Sequence, residues 1–195
     1  MDFSDPTVVE TWQSVDDRVM GGVSRSCLRY DPAGFAVFEG VMSLEQGGGF
    51  ASVRSGLFPG FAPGTDALVL EVCGDGKAYK LSLRMDEQFD GISYQAAFQP
   101  PAGVWTQVRL PVRNFVPGYH GRPVPNAPTL LPERICRVGL LIARQTQPPG
   151  DASASMEEGA EGAVVTTGYP QAGSFRLAIK SMRFHVPAAD PAVRF

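Results

Sequence analysis

The stretch KAYKLSLRM, residues 77–85, decides the fold. Tyr79, Leu81, Leu83 and Met85 fall on one side of an extended backbone, and Ala78, Lys80, Ser82 and Arg84 on the other. Successive side chains of a strand point to opposite faces. A period of two therefore predicts a strand with one face in a core and one toward water. The pattern recurs outward from this point. Val104, Thr106, Val108 and Leu110 alternate with Trp105, Gln107 and Arg109. Cys136, Val138, Leu140 and Ile142 alternate with Arg137, Gly139 and Leu141, and the greater apolarity predicts a central strand. Phe175, Leu177 and Ile179 share a face that Met182, Phe184 and Val186 continue one residue out of phase, which predicts a β-bulge near Lys180. Less regular strands are expected at 25–30, 34–44, 49–55, 67–73 and 91–98. About nine strands separated by turn residues predict an all-β, antiparallel β-sandwich.

Gly (22) and Pro (17) recur along the whole chain and cut it into short pieces. No segment keeps a 3.6-residue apolar period, so helices should be few and short, with one turn expected near 113–116. GDGK, residues 74–77, sits between two strands and reads as a hairpin turn with Asp75 and Gly76 at its tip. With 195 residues, 44% of them hydrophobic, the chain can bury one core, and residues 1–195 are read as a single domain. Residues 145–173 differ. They carry Asp151, Glu157, Glu158 and Glu161 with no Lys or Arg, and are expected to form a flexible acidic loop insertion.

A net charge of -3 and a pI near 5.4 argue against nucleic acid as a partner. Cys27, Cys73 and Cys136 are an odd, widely spaced set, so small buried thiols in a reducing compartment are expected, not disulfides. The N-terminus is acidic and lacks the apolar stretch of a secretory signal. No run of about 18 apolar residues could form an integral membrane segment. A cytoplasmic protein is expected, at most peripheral to a membrane through a partner.

Catalytic signals are missing. His120 and His185 show no metal-ligand spacing, and no C-x-x-C occurs, so no metal or other cofactor is expected. Asp16, Asp17, Asp86 and Asp90 could at most contribute to a calcium site, and solvated turn acids explain them better. There is no G-x-S-x-G, and neither GGGF (47–50) nor GDGK has phosphate-loop spacing. The chain reads as a binding protein, not an enzyme.

Taken in order, several blocks resemble one family. They are Trp12, VDDRVMGGVS (15–24), GGFASVR (48–54), GDGKAYKLSLR (74–84), SYQAAF (93–98), W-x-x-V-x-L-P (105–111) and FVPGYHGR (115–122). This ordered set is similar to the complex I intermediate-associated protein 30 family, over about 12–142 and again over 173–184. The resemblance implies a jelly-roll sandwich of the galactose-binding-like type. It also implies a non-catalytic assembly factor, a chaperone of respiratory NADH:ubiquinone oxidoreductase, whose partner is a protein client such as an assembly intermediate. The alternative is a carbohydrate-binding module-like domain holding a glycan or small polar ligand.

Two motifs carry the site expectations. In VDDRVMGGVS the Gly pair permits a tight turn, Ser24 can bond backbone, and Asp16 or Asp17 can accept amides or pair with Arg18 or Arg25. Trp12 or Met20 would cover core. Because loops at a sandwich rim often contact ligands, Asp17 and Arg18 are also taken as contact residues. On the strands, Arg54, Lys80, Arg84 and Gln95 all fall on polar faces. If those strands share a sheet, the four residues cluster on its outer surface and can hold a carboxylate, a phosphate or a sugar by charge-assisted bonds.

Overall fold

The computed structural model describes residues 1–88, 90–144 and 171–187; residues 145–170 of the expected acidic loop lie outside the described residues. In chain order the strands are β1 (Gln13–Ser14), β2 (Arg25–Asp31), β3 (Phe35–Met42), β4 (Phe50–Arg54), β5 (Ala67–Cys73) and β6 (Tyr79–Arg84). They continue as β7 (Ser93–Phe98), β8 (Trp105–Pro111), β9 (Val116–Tyr119), β10 (Arg122–Pro123), β11 (Arg137–Ala143) and β12 (Gly173–His185). All nine expected strand segments are present; β1, β9 and β10 are short additions with little alternation to betray them. The expected turn near 113–116 is a 3-10 turn over Val112–Asn114, and among the described residues the one α-helix, Thr7–Glu10, has a single turn.

Two antiparallel sheets pack face to face. One has the order β1-β4-β11-β6-β7-β9-β10 and the other β2-β3-β12-β5-β8. Alternation sorts the residues as read from the sequence. Tyr79, Leu81, Leu83, Leu140, Ile142, Leu68, Leu70 and Leu177 are fully buried between the sheets. Fully burying one such side chain stabilises the fold by about 1.5–3 kcal/mol. Phe38 and Phe175 meet at 4.9 Å between ring centroids, and Tyr79 packs on both and on Phe98. In β12 the register on β5 shifts between Ile179 and Ser181, which is the bulge expected near Lys180. β11, expected to be central, lies between β4 and β6.

Three expectations are corrected. GDGK is not a hairpin turn, because β5 and β6 belong to different sheets and the segment carries the chain across the sandwich. Asp75 anchors that crossing: its carboxylate accepts from the Lys77 amide, the Tyr79 hydroxyl (2.8 Å) and the Arg176 amide. Burial, and then the Asp75 charge, push the Tyr79 phenol well above its ordinary value. Met20 is 68% exposed and covers no core; Trp12 does so, packed on Phe3. Cys27 is exposed on β2, an edge strand whose outer face is open to water, while Cys73 and Cys136 are half-buried.

Candidate functional site

Two places must be weighed, the VDDRVMGGVS loop and the outer face of the seven-stranded sheet.

In the loop both carboxylates turn inward. Asp16 accepts from the Ser26 amide and hydroxyl and from the Ser52 amide. Asp17 is 2% exposed and accepts from the Ser24 hydroxyl (2.6 Å), the Ser24 amide (2.9 Å), the Gly49 amide (2.7 Å) and the Phe50 amide (3.3 Å). The two acids thereby tie the start of β2 to the start of β4, strands of opposite sheets. Close approach explains the glycines here. A Cβ on Gly22 would lie 2.4 Å from Asp17 Cγ, and one on Gly48 would lie 2.6 Å from Asp17 Oδ2. Ser24 completes the knot, its hydroxyl accepting from the Ser43 amide. Asp17 is thus occupied by the fold, which corrects its expected role as a contact residue. Neither acid pairs with Arg18 or Arg25; Arg18 is exposed on the 3-10 turn Asp17–Met20.

Burial opposes ionisation of Asp17, but the bonds from Ser24, Gly49 and Phe50 together outweigh it, and the carboxyl titrates below its ordinary range. A carboxyl depressed in the folded state adds stability above its unfolded value, about 3.9, and loses that contribution as pH falls through the folded value. Acid unfolding followed by circular dichroism should therefore show a loss of stability below about pH 4 in the wild type. The Asp17→Asn variant should lack that component.

On the outer face, the sheet order joins the strands that the sequence reading needed together. β4, β11, β6 and β7 are neighbours, and their register sets rows across the face. Arg54 is opposite Gly139, Gly139 opposite Ser82, and Ser82 opposite Gln95. In the next row Arg137 is opposite Arg84, and in the row beyond Gly139, Ser52 is opposite Leu141 and Leu141 opposite Lys80. Arg54, Lys80, Arg84 and Gln95 therefore share one face, with Lys80 four residues along β6 from Arg84. Arg137 is a fifth member that the sequence reading placed outward on its strand but could not assign a neighbour.

The face is polar yet poorly solvated. Arg84 is 9% exposed, and its Nη1 donates to the Gly91 carbonyl at 2.7 Å. Arg137 Nη1 donates to the Ser55 carbonyl at 3.2 Å. Burial, followed by repulsion from Arg84 and Arg137, brings the Arg54 guanidinium down to about 10. Burial also lowers Arg84, against the attraction of Asp86 and Asp90, and burial alone lowers the Lys80 amine. Gln95 Nε2 donates to the Ser93 hydroxyl. At the rim, His120 Nε2 lies 2.9 Å from the Asp90 carboxylate, to which the Tyr119 hydroxyl also donates. This acid–imidazole pair was not foreseen, because His120 and Asp90 are thirty residues apart. Among the described residues no group of three or more His, Cys, Asp or Glu is placed to hold a metal ion, and no helix is long and apolar enough to cross a membrane.

The comparisons agree with this architecture. The family 11 carbohydrate-binding module of a cellulosomal cellulase of Clostridium thermocellum is similar with a TM-score of 0.57 at 10% identity, over 91% of this chain and 88% of that one. The family 11 module from the same organism in complex with a β-1,3-1,4-mixed-linked tetrasaccharide gives a TM-score of 0.57 at 11% identity, over 94% of each chain. At such identities the likeness is one of fold, a galactose-binding-like β-sandwich. No curated protein matches the sequence. The family model described as complex I intermediate-associated protein 30 matches residues 1–179, spanning both sheets and the Asp16–Asp17 knot, so the chain belongs to that family.

Proposed function

We propose that this chain is a non-catalytic binding domain that acts as an assembly factor of the respiratory complex I type, gripping a client protein with the outer face of its seven-stranded sheet. One observation carries the reading: Arg54, Lys80, Arg84 and Arg137 are gathered on one half-buried face beside Ser82 and Gln95. Cations kept out of water raise the energy of the free protein and strengthen any charge-assisted bond to an incoming acid. Asp17 and Arg18 lie outside this face, Asp17 serving the fold. The alternative, a glycan or small polar ligand on the same face, draws on the likeness to carbohydrate-binding modules. Stacking a sugar ring needs an exposed aromatic side chain. Among the described residues, the rows through Arg54, Lys80 and Arg84 carry none.

The test is affinity capture from the native host with quantitative mass spectrometry. The bait is the wild type or a triple variant, Arg54→Ala with Lys80→Ala and Arg84→Ala, checked for a wild-type circular-dichroism spectrum. A double variant, Arg54→Gln with Lys80→Ala, spares the buried Arg84. Client recovery is expected to fall at least tenfold with either folded variant. Undiminished recovery of every partner refutes the proposal, and a glycan-array signal without protein partners favours the alternative.

A further inference from the structure

We propose that the outer face of the five-stranded sheet holds a further binding site, a groove across β2, β3 and β12. It takes an extended segment of a partner protein that carries two acids four residues apart and an apolar residue midway between them. The groove belongs to the other sheet from Arg54 and Lys80, so it is independent of the function read on their face.

The register builds the groove. Ser26, Gly40 and Phe175 stand opposite one another on β2, β3 and β12. Ser26 reaches inward to Asp16 and the Ser52 carbonyl, Phe175 is buried in the core, and Gly40 has no side chain. This middle row therefore offers its backbone as a floor. An outward row flanks it on each side: Cys27, Glu39 and Arg176 in one, Arg25, Val41 and Ser174 in the other. The groove between them has a volume of about 710 Å³. Arg25 and Arg176 stand at diagonally opposite corners. Two strand spacings of about 4.8 Å and two residues of about 3.4 Å place their Cα atoms about 12 Å apart.

Charge sets what the corners hold. The acids of the groove are already engaged. Glu39 accepts from Arg29 Nε at 2.6 Å and from Arg29 Nη2 at 3.3 Å. Asp75 accepts from the Lys77 and Arg176 amides and the Tyr79 hydroxyl. Arg25 and Arg176 are exposed, and among the described residues neither makes an ion pair. Each guanidinium can take a carboxylate through two parallel bonds. One compact anion shared by both would lie over the Glu39 carboxylate and be repelled, so two separate carboxylates are drawn to the two corners. Between the corners Val41 is 49% exposed and offers an apolar contact.

An extended peptide meets this spacing. Its residues i, i+2 and i+4 point the same way, and i and i+4 lie about 13 Å apart. Acids at i and i+4 then reach the two arginines while an apolar residue at i+2 covers Val41. A small-molecule site encloses most of its ligand. This groove lies on the surface of a sheet and is walled by exposed side chains, which suits a chain laid along it.

Isothermal titration of the full chain at low salt tests the groove with a blocked heptapeptide, Thr-Glu-Thr-Val-Thr-Glu-Thr. Saturable binding is expected. Arg25→Gln and Arg176→Gln should each weaken it at least threefold, the scale of one exposed ion pair, and Arg183→Gln, outward on β12 but beyond the groove, should not. Both variants replace exposed residues and should keep the wild-type melt. A second reading locates the peptide: Cys27 is the exposed cysteine and lines the groove, so bound peptide should slow its alkylation by iodoacetamide at least threefold. Absence of saturable binding, equal binding by the wild type and both arginine variants, or equal binding of Thr-Gln-Thr-Val-Thr-Gln-Thr overturns the site. Binding that leaves Cys27 alkylation unchanged places the peptide elsewhere and overturns it too. Tighter binding of azelate, a free nine-carbon diacid, or of inorganic phosphate overturns the protein source.

Discussion

Replacing Asp17 with alanine is expected to destabilise the protein by about 3–5 kcal/mol, the range for removing one partner from a buried charged network. Four donors lose their acceptor at once: the Ser24 amide and hydroxyl and the Gly49 and Phe50 amides. These groups lie where β2 and β4 begin, and water reaches them poorly because Asp17 itself is 2% exposed. A chain of this size loses roughly 2–4 °C of Tm per kcal/mol, so a fall of about 10 °C should be visible in a melt. Arg18→Ala, one residue on and exposed, should lie within about 0.5 kcal/mol of wild type. A melt of Asp17→Ala that coincides with wild type would show that the carboxylate is dispensable to the knot.

The second large effect is expected at Gly40. This residue lies in β3, opposite Ser26 of β2 and Phe175 of β12. A Cβ there would sit 2.0 Å from the Arg25 carbonyl oxygen and 2.8 Å from Ser26 Cα. Both are backbone atoms and cannot swing aside, so Gly40→Ala must push β2 away from β3. Because β2 contains Ser26 and directly follows Ser24, whose groups bind Asp16 and Asp17, the displacement would break the knot as well. A loss of at least about 3 kcal/mol is expected, the upper range for overpacking. Gly103→Ala is the control. Its φ is +71° but nothing lies within 4 Å of the added Cβ, so only the conformational cost of about 1–2 kcal/mol applies. Equal melting temperatures for the two variants would contradict the close-approach argument.

What could be read in the sequence was local. Alternation reports which side of a strand is buried, so Lys80, Arg84, Arg54 and Gln95 were placed outward and the slip near Lys180 was visible. Strand pairing is not local. Nothing in CRVGLLIA says that it lies between β4 and β6, which is why Arg137 was seen as outward but not joined to Arg84. GDGK failed for the same reason. A short Gly-Asp turn between strands fits a hairpin and a crossing between sheets equally well until the sheet order is known. Asp16 and Asp17 were read as solvated turn acids that could accept amides or pair with Arg18 or Arg25; they are buried, and of the two pairings only amide acceptance is found. The four-donor cage around Asp17 depends on Gly48 and Gly49, some thirty residues away, which no local window contains.

The last two described strands in chain order, β11 and β12, each occupy the middle of a sheet, β11 between β4 and β6 and β12 between β3 and β5. Without β11 and β12 the earlier strands therefore form only half-sheets, with open apolar gaps between them. Folding is therefore governed by long-range pairing, which is slow. Loss of β12 alone would leave β3 and β5 as unsatisfied edges, prone to pair with other chains.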